Sequence, residues 1–181
     1  MDDTQRALLK QAGLPDIVSH VLGAKVTFAI DADPKPYGVK GRITGLAMNP
    51  GCLTAVVTSD DKPGKTRKRA HSLEIHWWNG AWEQLHAFRF REIAPVGRYQ
   101  RLLEAVGLPG DPDRVLGRKA GFDCARGTII GLSFMEDASS DEGVSLQLDV
   151  GRKISPSSDI ADPHRLHRRA SYQDWIVHYT A

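Results

Sequence analysis

The sequence predicts a mainly β protein: two tandem five-stranded small barrels, each preceded by a short α-helix, packed together as an internal repeat. Three observations predict it. Displaced by 94 positions, Leu8, Leu9, Gly13, Leu14, Pro15, Val21, Leu22, Gly23, Lys25 and Phe28 fall on Leu102, Leu103, Gly107, Leu108, Pro109, Val115, Leu116, Gly117, Lys119 and Phe122, ten identities in 21 positions without a gap. Self-similarity at a fixed period marks a duplicated architecture. After each helical stretch the apolar period changes from helical spacing to strict alternation, which marks half-buried strands. Finally, Asn79-Gly80 joins two strand-like runs, and this dipeptide supplies the two positive φ angles that a two-residue hairpin needs.

The elements follow in order. Asp2 or Asp3 caps a first helix in which Ala7, Leu8 and Ala12 share a face. Gly13, Leu14 and Pro15 then stop it, the glycine taking the left-handed conformation and the proline blocking continuation. Leu102, Leu103 and Val106, followed by Gly107, Leu108 and Pro109, repeat the device. Val26, Phe28 and Ile30 alternate with Lys25, Thr27 and Ala29 as a first strand. A second runs from Tyr37 to Met48. There Gly41-Arg42-Ile43-Thr44-Gly45 suggests the bulged, bent strand that small barrels use to close. Eight residues shorter, the second copy resumes the register with Gly127, Ile129, Gly131 and Leu132 matching Gly41, Ile43, Gly45 and Leu46. Asn49-Pro50-Gly51 turns into a third strand, Cys52 to Ser59. Ala70 to Trp78 and Ala81 to Ile93 complete the first unit. The second unit reads as Arg118 to Cys124, Gly127 to Phe134, Gly143 to Val150 and Arg168 to Tyr179, with loops at Glu136–Glu142 and Ser155–Pro163.

This strand count, the strand lengths and the bent glycine strand resemble an SH3-like small β-barrel of the Tudor and KOW type, over residues 22–95 and again over 116–180. A five-stranded OB-type barrel is the nearest alternative. The boundary between the copies lies near Pro95-Val96-Gly97, dividing the chain into 1–96 and 97–181. Units this small bury only about 60 to 65% of their unfolded surface, so the two are expected to pack against each other.

Composition bounds the function. The chain is 41% hydrophobic and 25% charged, an ordinary globular balance. A net charge of +2 and a pI near 8.6 are too mild to mark a nucleic-acid binder unaided. Cys52 and Cys124 occupy non-equivalent places and read as free thiols of a reducing compartment. With no apolar stretch after Met1-Asp2-Asp3 and no long apolar run, the expectation is a cytoplasmic protein without a membrane partner. His164 and His167 with Asp159 and Asp162, and Asp31 with Asp33, lack zinc-cluster spacing, so neither metal nor cofactor is expected. A nucleophile elbow, a phosphate-binding loop and a zinc-protease helix motif are all missing. The chain therefore reads as a binding protein with no catalytic residue.

Two features carry candidate binding sites. Lys62, Lys65, Arg67, Lys68 and Arg69 concentrate positive charge in the loop entering the fourth strand, and Arg165, Arg168 and Arg169 form a second basic cluster read as its counterpart. Such loops suit nucleic-acid phosphates, because counterion release drives binding without sequence readout. The plainer reading is a pair of solvated tips beside Asp60, Asp61, Asp159 and Asp162. Arg42 and Arg126 are placed on the same side. Trp77 and Trp78 are adjacent on a strand and so face opposite ways; with Trp175 they offer aromatic contact surface. The alternative to DNA or RNA is a protein partner, held by an aromatic groove or by the cleft between the copies.

Overall fold

The computed structural model describes residues 1–31, 35–60, 72–94, 97, 99–122, 125–135, 143–149 and 165–166. Helix α1 spans Asp3–Gln11 and the single turn α2 spans Val18–Val21; β1 (Lys25–Ile30), β2 (Tyr37–Asn49), β3 (Cys52–Ser59), β4 (Ser72–Trp78), β5 (Ala81–Trp82) and β6 (Leu85–Glu92) follow. The second half contains α3 (Gln100–Ala105), α4 (Pro112–Val115), β7 (Lys119–Phe122), β8 (Ala125–Met135), β9 (Gly143–Asp149) and β10 (Arg165–Leu166). The fold is mainly β.

Local chemistry sets the helices. Asp2 caps α1: its carboxylate accepts from Gln5 N at 2.8 Å, while Gln5 Oε1 accepts from Asp2 N at 3.1 Å, a reciprocal capping box. The helix buries Gln5, Leu8 and Leu9, and Ala12 just beyond it. Ala7, expected on that face, is exposed, because the buried stripe is centred on Leu8 and Leu9. Gly13 at φ 75° and Gly107 at φ 77° end α1 and α3 in the same way. Leu14 N donates to Leu9 O and Leu108 N to Leu103 O, both at 2.9 Å, which satisfies carbonyls that a helix end leaves open.

The strands form an open antiparallel sheet in the order β10-β9-β8-β2-β3-β4-β5, with β1 on β2, β6 on β1 and β7 on β8. The Gly-x-Ile-x-Gly segments are bulged as expected. The register slips at Thr44 between Ile43 and Gly45 in β2, and at Ile130 between Ile129 and Gly131 in β8. Each bulge marks a change of neighbour. Before it β2 pairs with β1 over residues 37–42, and after it with β8 over 45–47. Strand β8 likewise leaves β7 for β2.

The two halves thus meet through their bulged strands, where Leu46 lies directly opposite Leu132, the residue it matches when the two Gly-x-Ile-x-Gly segments are aligned. A further pair of hydrogen bonds recurs on either side. Gly23 N donates to Ile43 O and Ile43 N to Ala24 O; Gly117 N donates to Ile129 O and Ile129 N to Arg118 O. One apolar cluster draws on both halves, with Leu9, Leu22, Ile43, Leu46, Leu53, Leu103, Leu116, Ile129, Leu132 and Leu148 almost wholly buried. Each such leucine or isoleucine contributes about 1.5–3 kcal/mol relative to exposure.

One expected strand is divided. Asn79 (φ 50°) and Gly80 (φ 85°) form the hairpin, but the run from Ala81 to Ile93 breaks at Glu83-Gln84. Gln84 adopts φ 54°, which turns the chain: β5 stays on β4 through Trp77 opposite Trp82, while β6 crosses to β1. The expected strand from Arg168 to Tyr179 lies outside the described residues.

Candidate nucleic-acid interface

The loop cations Lys62, Lys65, Arg67, Lys68 and Arg69 lie outside the described residues, as do Arg168, Arg169 and Trp175. The roots of the first loop are placed. Asp60 N donates to Lys40 O at 2.9 Å, and Thr58 pairs with Ser72 across β3 and β4. Asp60 thus lies beside Lys40 of β2, and Ser72 lies across β3 from Arg42.

Of the second basic cluster, Arg165 alone is among the described residues. Arg165 belongs to β10, opposite Gln147. Gln147 is paired with Gly131 as Val56 is with Gly45, and Val56 faces Glu74 of β4. Arg165 thus takes the register position of Glu74, in a strand and not at a loop tip.

Beside the first root, strand pairing assembles cations that the sequence does not put together. Residues directly opposite in an antiparallel ladder share a face. Lys40, Thr27 and Arg89 form one row across β2, β1 and β6; Arg42, Lys25 and Glu92 form the next. Arg91 reaches into the first row, its Nε donating to Thr27 Oγ1 at 3.0 Å. Lys25 Nζ pairs with Glu92 at 2.6 Å, and Arg42 Nε lies 4.0 Å from Asp60. A hydrogen bond and the positive charge of Lys25, with a smaller contribution from Arg42, hold the Glu92 carboxyl below the usual glutamate range.

Lys40 and Arg89 are exposed, and among the described residues neither has an ion-pair partner. A hydroxyl chain runs from this face to the loop: Thr44 Oγ1 and Thr58 Oγ1 are 2.9 Å apart, and Thr58 Oγ1 is 3.4 Å from Ser72 Oγ. Of these cations only Arg42 was singled out from the sequence. The outward alternation of Lys25, Thr27, Arg89 and Arg91 was the available signal, but which strands lie side by side was not.

The adjacent tryptophans face opposite ways, as alternation requires. Trp77 is buried at 6% exposure and Trp78 is 48% exposed. Trp78 stands opposite Cys52, six residues along β4 from Ser72, which is about 20 Å at strand spacing. It therefore stands apart from the loop root. Trp82 belongs to the packing: its ring stacks on Phe88 at 4.5 Å, and its Nε1 donates to Ala12 O at 3.1 Å. Beside Trp78, the Cys52 thiol is pushed up, first by burial and then by the negative charge of Glu83. At the far end of β1, His86 Nε2 and Asp31 Oδ2 are 2.7 Å apart. Among the described residues no group of three His, Cys, Asp or Glu side chains could hold a metal ion.

A cleft of about 460 Å³ opens between the halves, lined by Ser19 and Leu22 from the first and by Tyr99, Gln100, Glu104 and Arg114 from the second. The counterparts of Gln100 and Glu104 are Arg6 and Lys10. There Lys10 Nζ pairs with Asp16 at 3.0 Å and an Arg6 Nη atom donates to Asp16 O at 3.3 Å. Gly110 stands at the position matching Asp16, so the cluster that closes over the first helix has no equivalent in the second half. Among the described residues no helix is long and apolar enough to cross a membrane. No family model, no curated protein and no solved structure matches this chain.

Proposed function

We propose that this chain is a non-enzymatic binding protein that contacts nucleic-acid phosphates from its first half. In this reading residues 1–96 and 97–181 are SH3-like barrels derived from an internal duplication. The return of β6 to β1, the pairing of β1 with β2 and the bulged glycine strand support that architecture. The observation that carries the functional reading is the cationic face of β6-β1-β2. It adjoins the root of the Lys62, Lys65, Arg67, Lys68 and Arg69 loop, so loop and face would present one continuous positive surface. Association should weaken steeply with salt, because each phosphate contact releases condensed counterions.

The test is fluorescence anisotropy with labelled DNA and RNA over a salt series. Replacing the five loop cations by alanine should lower affinity and flatten the dependence of log K on log salt, by about one unit for each cation that contacts a phosphate. Failure to bind any nucleic acid at low salt overturns the reading.

A second reading is a protein-interaction module, favoured by the cleft between the halves. It predicts a single stoichiometric protein partner whose binding survives nuclease treatment and the loop substitutions. It further predicts loss of that binding when Glu104 and Arg114 are replaced.

A further inference from the structure

Resting on the nucleic-acid reading, we infer that the partner surface is a duplex backbone, gripped by the β6-β1-β2 face through Lys40, Arg89 and Arg91. Three features of the face favour a duplex over a single strand.

The first is rigidity. The row Lys40–Thr27–Arg89 is fixed by two antiparallel ladders, and Arg91 is tied to Thr27. Adjacent strands stand about 4.8 Å apart, so the backbones of Lys40 and Arg89 are held roughly 10 Å apart across β1. Such a spacing suits phosphates whose positions are themselves held by a stiff helix. A single strand would have to be ordered against it, and that ordering is unfavourable for binding.

The second feature is that, among the described residues, the face carries no stacking surface. Binding of single strands draws much of its energy from bases stacked on aromatic rings. Around Thr27 the outward positions are Lys25, Ala29, Gly38, Lys40, Arg42, Arg89, Arg91 and Glu92, with His86 beyond them paired to Asp31. Among the described residues the exposed large aromatics are Tyr37 and Trp78. Trp78 is on β4, beyond β3 from this face. Tyr37 shares the side of β2 that carries buried Val39. Neither ring belongs to the cationic rows.

The third is charge complementarity. Among the described residues the five cations meet the carboxylates of Glu92 and Asp60 alone at ion-pair distance, which leaves Lys40 and Arg89 to a ligand. A duplex, with one negative charge for about every 1.7 Å of its axis, presents the denser counter-field.

The experiment uses the full chain and three variants, Lys40→Gln, Arg89→Gln and the double, titrated into 20-base-pair DNA and RNA duplexes and their isolated strands across a salt series. Thermal melts verify that the exposed substitutions leave the fold intact. The inference expects at least tenfold tighter binding to one of the duplexes than to its separate strands. Each substitution should lower the salt slope on the duplex by about one unit. Equal or tighter binding to the single strands overturns the duplex inference and leaves the nucleic-acid reading standing. Duplex binding that the double variant retains with an unchanged slope overturns the assignment of this face. No binding to any of these probes at low salt overturns the underlying reading itself.

Discussion

Replacing Gly131 by alanine tests the seam between the halves. A Cβ at this position would lie 2.7 Å from the Ala47 Cβ, 3.0 Å from the Ala47 Cα and 3.0 Å from Leu46 O. All three belong to the facing strand's backbone or to a Cβ fixed on it, so no rotamer change relieves them. Ordinary contact needs about 3.5–4.0 Å between carbons, so β2 and β8 must part by roughly 1 Å. Their shared ladder is only three residue pairs long: Gly45 with Ser133, Leu46 with Leu132 and Ala47 with Gly131. Overpacking of this kind costs about 1–3 kcal/mol, against about 0.4–1 kcal/mol gained from restricting the unfolded chain.

A net loss of about 1.3 kcal/mol lowers Tm by about 3–5 °C in a chain of this size. Gly38→Ala is the control, since a Cβ there meets nothing within 4 Å; its Tm should stay or rise slightly. Adding Ala47→Gly to Gly131→Ala removes the closest contact but leaves those with the Ala47 Cα and Leu46 O, so recovery should be partial. A Gly131→Ala protein that melts with the wild type in differential scanning calorimetry refutes a close seam between β2 and β8.

Two other outcomes follow from single side chains. The Asp113 carboxylate accepts from Val18 N and Ser19 N, both at 3.1 Å, and so caps α2 from the opposite half; Asp113→Ala should cost about 1–2 kcal/mol, and an unchanged urea midpoint would contradict that role. Cys52, its thiol raised by burial and by Glu83, should stay protonated at neutral pH and alkylate slowly; its rate, followed by peptide mass spectrometry, should begin to climb at lower pH in Glu83→Gln.

What could be read from the sequence was what neighbouring residues decide among themselves. The glycine stops after α1 and α3, the Asn79-Gly80 hairpin and the bulged glycine strands all follow from local backbone chemistry. The opposed faces of Trp77 and Trp78 follow from the period of a strand. The division of β5 from β6 was not legible, because it turns on positive φ at Gln84, followed by Ala87 at φ 51°, residue types that do not advertise it. The cationic face was hidden for a different reason. Lys40, Thr27 and Arg89 are far apart in the chain and come together only through β1-β2 and β1-β6 pairing. A basic run such as Lys65 to Arg69 announces itself, whereas charge gathered by strand order does not.

The halves share framework hydrogen bonds and differ in what they present outward. When the two halves are aligned by sequence, Lys25, Thr27, Lys40 and Arg42 match Lys119, Gly121, Arg126 and Thr128. Where Lys25 faces another cation, Arg42, Lys119 instead donates to Thr128 Oγ1 at 2.7 Å. That exchange lowers the charge of the second face and engages one of its remaining cations. On the proposed nucleic-acid function the two halves should contribute unequally: Lys119→Gln should leave nucleic-acid affinity and its salt slope unchanged, while Lys40→Gln reduces both. Equal losses from the two substitutions would mean that both halves contact the ligand alike. The asymmetry argued from Thr128 would then be wrong, although the framework that holds the two faces would be unaffected.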